Sequence, residues 1–317
     1  VTTLITGGAG FVGSHLAAAL VRQGHPVLLL DNYDPYYDVT FKRARYAAMN
    51  PDVPLVEVDI RDYDALANLF EQHTITRIAN MAAMPGVRYS VGRAREYMEV
   101  NTTGTVNLMD LAAKHDIEVF VQASTSSIYG QAEPERIPFR EDDAADRPLA
   151  PYPASKRAAE LYGHSFYNLH GLNVTALRFF NVYGPFGRPD MMPLKALKAI
   201  LDGETIKLWN GGDLKRDWTY IDDTVAGVIA ALERPLGFQL INLGYGSPLP
   251  LIDFINIYEE LVGKEAVKVV EPAPPTEPLI TYCDNTRARA LLDFDPQTSI
   301  ADGLANVWAW YREFYQV

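Results

Sequence analysis

The sequence predicts an α/β fold: a parallel sheet wound on both faces by helices, with a smaller C-terminal α/β part attached. Three observations carry this. Short β-rich runs alternate with longer helical patterns through the first 180 residues. The β runs are apolar almost throughout, as strands covered on both faces must be. After residue 180 the alternation loosens into loops and separate amphipathic helices. Strand then helix, repeated, means parallel strands joined by crossover helices.

Taken in order, strands are expected at TTLIT (2–6), PVLLLD (26–31), PLVEVD (54–59), RIANM (77–81), VFVQAS (119–124) and NVTALRFF (173–180). Helices are expected near 11–23, 62–73, 93–114 and 153–169. Beyond 180, GPFGRPDMMP reads as a loop, PLKALKAILDG as a helix and KLWNGGDLKRDWTYIDD as a strand and turn region. DDTVAGVIAALERP and LIDFINIYEELVG are further helices, PAPPTEP (272–278) a Pro-rich crossing loop and ADGLANVWAWYREFY an amphipathic closing helix. The expected organisation is a nucleotide-binding domain over 1–180 and a substrate domain over 181–317, with segments near 215–245 returning to the first.

The 317 residues have a formal net charge of −12 and are 48% hydrophobic, ordinary for a soluble globular protein. The acidic balance argues against a nucleic-acid surface, which needs clustered Lys and Arg. No apolar run approaches the roughly 20 residues of a membrane helix. The start, VTTLITGGAG, enters a strand with no basic stretch or cleavage site, so no signal peptide is expected. Cys283 is the only cysteine and reads as a small core residue, so the fold needs no oxidising compartment and a cytoplasmic location is expected. The six histidines lack metal-ligand spacing and there is no CxxC, so metal catalysis is not expected.

In TTLITGGAGFVGSHLAAAL, Gly7, Gly10 and Gly13 follow a strand and open a helix. Free N–H groups and the positive dipole end at a helix N-terminus favour a phosphate. Gly7 permits the tight turn, Gly10 lets backbone approach a pyrophosphate, and Gly13 allows close helix packing. The spacing is GxxGxxG, a variant of the general fingerprint. LLLD ends the second strand on Asp31, where an acid accepts from the adenosine ribose hydroxyls and repels a 2′-phosphate. The expectation is a Rossmann-type sheet binding NAD rather than NADP, with Lys42 also in reach of the ribose. Asp59 with Ile60 is a candidate adenine clamp, the alternative being a surface carboxylate.

QASTSSIYG (122–130) places four hydroxyl residues in a row at a strand end, with no acid among them. Downstream, Tyr152 and Lys156 lie one helical turn apart on one face. A Tyr hydroxyl titrates near 10, too high for a base at neutral pH, and a nearby Lys ammonium favours the phenolate. Thr125 is the expected hydroxyl that orients the substrate oxygen, while Tyr152 takes an alcohol proton as hydride leaves carbon for NAD. The alternative is a surface Tyr and Lys of no chemical role.

With these parts the chain resembles the extended short-chain dehydrogenase/reductases, the NAD-dependent nucleotide-sugar epimerases and dehydratases. TGGAGFVGSHL, ASTSSIYG, YPASK, LRFFNVYGPFGRPDM and RDWTYIDD carry the resemblance over nearly the whole chain. DNYDPYYDVTFKRAR, AAMPGVRYSV and FFNVYGPFGRPDM make it most similar to the UDP-glucuronate 4-epimerases. The expected cofactor set is Gly7, Gly10, Phe11, Val12, Gly13, Asp31, Asn32, Lys42, Asp59, Ile60, Met81, Ala82, Ala83 and Asn101, with Tyr152 and Lys156. Related dehydratases and uronate decarboxylases carry acids just after the catalytic Thr. This chain has Ser126 and Ser127, hydroxyls that suit a sugar carboxylate or cap the turn.

For the substrate, the resemblance places Arg188 near the sugar carboxylate, Arg216 near the diphosphate and Arg88 in a loop facing the sugar, each with a surface salt bridge as the alternative. Trp209 stacks on uracil or belongs to the core, and Asn181 offers its amide to the sugar or diphosphate. Three departures stand out: Asn181 where uronate 4-epimerases usually have Thr and UDP-glucose 4-epimerases favour Asn, Asn80 for a usual His, and PPTEP for a common PGD turn. The expectation is NAD-dependent interconversion of UDP-glucuronate and UDP-galacturonate. The alternatives are 4-epimerisation of UDP-glucose or UDP-N-acetylglucosamine, a decarboxylase or dehydratase, which the missing acid disfavours, and a non-enzymatic NAD-sensing scaffold. The resemblance also implies a homodimer paired through helices 93–114 and 153–169.

Overall fold

The computed structural model describes residues 2–131, 134–274 and 277–317. In chain order the first half runs β1 (Thr2–Thr6), α1 (Phe11–Arg22), β2 (Val27–Asp31), α2 (Val39–Met49), β3 (Leu55–Glu57), α3 (Tyr63–Gln72), β4 (Ile75–Asn80), α4 (Ala94–Tyr97), a π-helical segment (Met98–Gly104), α5 (Thr105–Lys114) and β5 (Val119–Thr125). It continues through α6 (Pro151–His170), β6 (Val174–Phe179), β7 (Asn181–Tyr183), α7 (Met192–Asp202), β8 (Thr205–Trp209), β9 (Lys215–Tyr220), α8 (Ile221–Leu232) and β10 (Phe238–Leu243). The chain closes with β11 (Pro248–Pro250), α9 (Leu251–Val262), β12 (Val267–Glu271), β13 (Ile280–Thr281), α10 (Thr286–Leu292) and α11 (Ile300–Tyr315).

The central sheet is seven-stranded, in the order β10-β6-β5-β4-β1-β2-β3, and every pairing in it is parallel. Alternate residues of its strands feed two cores. Ile5, Leu29, Ala79 and Val121 pack with α1, α7 and α8 on one face, while Leu4, Leu28, Ile78 and Phe120 pack with α3 and α5 on the other. This double burial is why the strands read as unbroken apolar runs. The order reverses between β1 and β4, the switch point at whose carboxyl ends such sheets open a crevice.

Beside it, β9 is the hub of a second sheet that holds β7, β11 and β13, and β8 pairs with β12 in a third. Buried Asp217 on β9 gathers this part, accepting from the N–H groups of Tyr245 (2.9 Å), Gly246 (3.0 Å) and Cys283 (3.2 Å). Cys283 is buried as expected, and burial followed by the Asp217 charge pushes its thiol well up.

Several elements differ from the sequence expectation, β10 among them, which is not among the expected strands and completes the central sheet. The helix at 93–114 is not continuous: residues 98–104 form a π-helix between α4 and α5. VNTTG offers β-branched residues and a glycine, poor α-helix formers, and the close seat of Gly104 against Ile60 leaves no room for a side chain. α2 lies within DNYDPYYDVTFKRAR, where turn residues hide it; Asp38 caps it by accepting from the Thr40 N–H at 2.8 Å. β12 went unseen because VKVVE is short and its first four residues are exposed. Of the expected crossing loop at 272–278, Pro275 and Thr276 lie outside the described residues.

His15 is buried in α1, its Nδ1 donating to the Phe11 carbonyl at 2.9 Å. Burial lowers its pKa to about 4. The unfolded chain, near 6.5, therefore binds the proton first as pH falls, so stability is full above about 6.5 and drains away down to about 4. The expected loss is ~3 kcal/mol. Urea unfolding at pH 7 and pH 4.5 should show a smaller acid loss in His15→Leu than in the parent protein.

Candidate active site

A cleft of about 390 Å³ runs along the carboxyl ends of β1, β2, β4, β5 and β6. Gly7, Gly10, Phe11, Val12 and Gly13 line one side. Gly7 has φ +67°, and its carbonyl accepts from the Gly10 N–H at 2.9 Å. A Cβ on Gly13 would sit 2.1 Å from that carbonyl, and one on Gly10 2.8 Å from it. Only glycines allow this turn.

Asp31 stands at the end of β2, buried, with one carboxylate oxygen accepting from the Ala9 N–H (3.0 Å) and the other from the Tyr33 N–H (2.8 Å). Burial raises its pKa against those donors and the charges of Lys42 and Arg45. The Lys42 ammonium donates to the Asp34 carbonyl at 2.6 Å and lines the same cleft. Asn32 donates to Asp59 at 2.8 Å, and both line the cleft with Ile60. Burial opposes the Asp59 charge, but bonds from Arg61 and Asn32 win and hold its pKa at about 2.

Met81, Ala82 and Ala83 line the floor after β4. Their loop is tied down from behind. Thr6 donates to Asn80 (2.6 Å) and accepts from the Ala82 N–H (3.1 Å), and Asn80 donates to Thr105 (3.0 Å). The unusual Asn80 is thus a buried strut. Asn101 stands behind this loop. It is buried in the π-helical segment outside the cleft lining, with its amide committed to the Met84 N–H (2.8 Å), the Met84 carbonyl (3.0 Å) and Ser155 (3.0 Å). It fixes the loop that lines the cleft.

Across the cleft, β5 delivers Thr125 and a short 3₁₀ turn delivers Ser126 and Ser127, while α6 delivers Tyr152 and Lys156. Thr125 accepts from the Ser127 N–H at 3.2 Å. Burial raises the pKa of the Tyr152 phenol, opposed by a hydrogen bond with Thr125 and by the positive field of Arg188. Lys156 is buried and donates to the Ala123 carbonyl at 2.9 Å. Burial lowers its pKa to about 8, with Glu160 pulling the other way.

Arg188 and Asn181 also line the cleft. Asp190 accepts from Arg188 Nε (3.0 Å) and Nη2 (2.5 Å), and from the Tyr36 hydroxyl (3.1 Å). Burial opposes the Arg188 charge, and Asp190 more than offsets it. Tyr36 and Asp190 lie within DNYDPYYDVTFKRAR and FFNVYGPFGRPDM, but their pairing, across 154 positions, could not be read from either stretch. Arg88, Trp209 and Arg216 are not among the cleft-lining residues. They form their own cluster: Arg88 stacks on the Trp209 ring at 4.5 Å and pairs with Glu277, which also pairs with Arg216 at 3.1 Å. In this state Trp209 therefore carries a guanidinium on its ring.

The model of the NAD dependent epimerase/dehydratase family matches residues 3–244. The chain belongs to this family. It is 39% identical over 313 residues to the UDP-glucuronate 4-epimerase of Thermodesulfobacterium geofontis, covering 98% of this chain and 96% of that one. It is similar to the Bacillus cereus UDP-glucuronic acid 4-epimerase solved with UDP-glucuronic acid and NAD, at TM-score 0.91 and 31% identity, covering 99% of this chain and 100% of that one. It is also similar to the Thermotoga maritima UDP-glucose 4-epimerase solved with UDP-glucose, at TM-score 0.90 and 26% identity, again over 99% and 100%.

The residues present fit the family's dinucleotide. The cradle that a Cβ would fill lies at Gly13, and each Asp31 oxygen keeps acceptor capacity beyond its one N–H bond. Among the described residues no group of three or more His, Cys, Asp or Glu could hold a metal ion. Asp31→Ala should weaken NAD binding about tenfold to a hundredfold, the worth of charge-assisted hydrogen bonds, while NADP binding changes little. Equilibrium titration with both dinucleotides checks this, and an equal loss for both would remove Asp31 from the selection.

Proposed function

We propose that this protein interconverts UDP-glucuronate and UDP-galacturonate at C4, with NAD retained through turnover. The observation that carries the reading is the acid-free run Thr125–Ser127 in one cleft with Tyr152, Lys156 and Arg188. A dehydratase needs an acid there to expel water, and an acid would repel a C6 carboxylate, whereas Ser126 and Ser127 can donate to one. The similarity to the Thermodesulfobacterium and Bacillus 4-epimerases supports the same reading.

NAD, held by the glycine turn and Asp31, would supply the hydride acceptor and donor for C4. The chain's own residues do the rest. Thr125 orients the C4 oxygen, Tyr152 removes its proton and later restores it, and the Lys156 ammonium favours the phenolate. Gly7, Gly10 and Gly13 would hold the pyrophosphate, Asp31 and Lys42 the adenosine ribose, and Asn32, Asp59 and Ile60 the adenine side. Arg188, with Nε and Nη2 on Asp190, keeps its Nη1 edge for the sugar carboxylate. Arg216 and Arg88 reach a diphosphate by exchanging Glu277 for it.

A neutral-sugar reading, UDP-glucose 4-epimerisation, is favoured by Asn181 at the cleft and by the charge of Arg188 already being met by Asp190. Cytoplasmic residence and a homodimer complete the proposal. The reduced, unpaired Cys283 suits the first. For the second, α6 leaves Leu161, Tyr162 and Leu169 exposed, with Met98 exposed on the segment packed against it. No helix among the described residues is long and apolar enough to cross a membrane.

Two variants test the chemistry. Tyr152→Phe should keep fold and NAD while losing turnover by ~10²–10⁴, the worth of a placed proton-transfer group; near-normal rates would remove Tyr152 from the mechanism. Arg188→Ala tests the substrate. Oxidation at C4 of a uronate makes a β-keto acid, which sheds CO₂ when the breaking bond aligns with the carbonyl π system. A held, charge-stabilised carboxylate resists this. Affinity for UDP-glucuronate should fall about tenfold to a hundredfold, far more than for UDP-glucose, and mass spectrometry should find a UDP-4-keto-pentose. Equal losses for both sugars and no pentose would favour the neutral-sugar reading.

A further inference from the structure

Glu160 lies one turn beyond Lys156 on the same face of α6 and is fully buried. Its carboxylate accepts from Arg178 Nε (3.0 Å) and Nη2 (2.9 Å), Ser124 Oγ (2.6 Å) and Arg157 Nη1 (2.9 Å). The Ser124 contact concerns the chemistry directly. Ser124 immediately precedes Thr125, and the residue before it, Ala123, accepts from the Lys156 ammonium at 2.9 Å. The last residues of β5 are thus fastened to α6 twice, once by Lys156 and once by Glu160.

The charges around Lys156 single out Glu160. On α6 itself stand Tyr152, Arg157 and Glu160. β6 contributes Arg178, and the turn after β5 contributes Tyr129, which accepts from Arg178 at 2.8 Å. The π-helical segment packed on α6 presents the uncharged Asn101 and Thr102, bonded to Ser155, while its Glu99 pairs with Arg95. α4 brings Tyr97, whose ring lies 6.1 Å from that of Tyr152. On α5, Asp110 is taken by Lys114 and Tyr63. The β10 strand offers Asn242, bonded to Tyr129. From the cleft, Arg188 acts on Tyr152. Burial lowers the Lys156 pKa to about 8, and the charge of Glu160, one turn away on the same face, acts against that burial.

We propose that Glu160 is the positioning residue of this site: its buried charge keeps Lys156 protonated, and its bond to Ser124 sets the reach of the Thr125 hydroxyl to Tyr152. This rests on Tyr152 and Lys156 being the proton-transfer pair of the proposed reaction. Glu160 itself touches no substrate.

The test is Glu160→Gln, which keeps shape and an acceptor but removes the charge. In the as-purified protein, the alkaline limb of the kcat–pH profile should move down by about one unit, the effect of losing a near opposite charge. Acetylation of Lys156 by acetic anhydride, followed by peptide mass spectrometry, should show its half-reaction pH falling by the same amount. Glu160→Asp, which keeps the charge, should retain the parent midpoint. Because Glu160→Gln leaves Arg178 buried without its partner, Glu160→Gln/Arg178→Gln is the variant that guards against misfolding. Its melting temperature should recover, and because it also removes a cation from the same network, both pH shifts should keep their direction but be smaller than in Glu160→Gln. If both midpoints stay at parent values while only the melting temperature falls, Glu160 is a strut and the proposal is overturned. The acetylation midpoint needs no turnover. A shifted Lys156 beside an active Tyr152→Phe would therefore sink the reaction reading and leave the hold of Glu160 on Lys156 standing.

Discussion

A buried guanidinium holds the two sides of the cleft together. Arg45, on α2, is fully buried and donates to the Ala9 carbonyl (2.9 Å), to the Phe186 carbonyl through Nε (3.0 Å) and Nη2 (2.8 Å), and to the Tyr37 hydroxyl (2.8 Å). Ala9 belongs to the glycine turn, and its N–H is the one that Asp31 accepts. Phe186 lies two residues before Arg188 and has φ +55°. One side chain thereby joins the glycine turn to the loop that carries Arg188. Burying a charge on carbonyls and a phenol is costly unless each donor is met, and here three acceptors meet it. The field of Asp31, which Arg45 stabilises in return, supplies the countercharge.

That linkage explains why the segment DNYDPYYDVTFKRAR matters as a unit. Its acid faces the adenosine side, Tyr36 reaches Asp190 and Arg188, and Arg45 spans both. The segment forms one wall of the cleft, built from turns and the start of α2. A substitution there would be felt on both sides of the cleft, because the carbonyls it binds belong to different loops.

The sheet, its order of elements and the glycine turn were legible because each rests on local pattern: apolar runs, the strand–glycine–helix sequence and a Tyr–Lys pair at helical spacing. Thr125, Ser126, Ser127, Tyr152, Lys156 and Arg188 do meet in one cleft. What sequence could not show is pairing at long range. Asn101 bonds Met84 and Ser155, and only the π-helical segment, which no periodicity announces, puts it there. Arg88 and Trp209 were read as separate candidates, whereas they stack on each other beside Glu277. Tyr36, Asp190 and Glu160 were missed because an acid or a phenol has no signature until its partner is near.

Three arginines in and around the cleft share one arrangement: Arg188 is met by Asp190, Arg216 by Glu277 and Arg178 by Glu160. Free guanidinium groups would bind any anion, and in a chain of net charge −12 they would also find wrong acids of their own. A resident carboxylate orients each fork and lowers the field that a substrate sees. Binding then gains less raw affinity and more geometry, since a ligand must fit the edge that the resident acid leaves open. For Arg178 the buried partner is permanent, and its pair steadies β5 against α6. For Arg216 the partner, Glu277, is only partly buried and sits on the Pro-rich loop. Arg188 stands between these cases. Its acid lies two residues further along the chain and is bound through two nitrogens, so the fork is held in one direction.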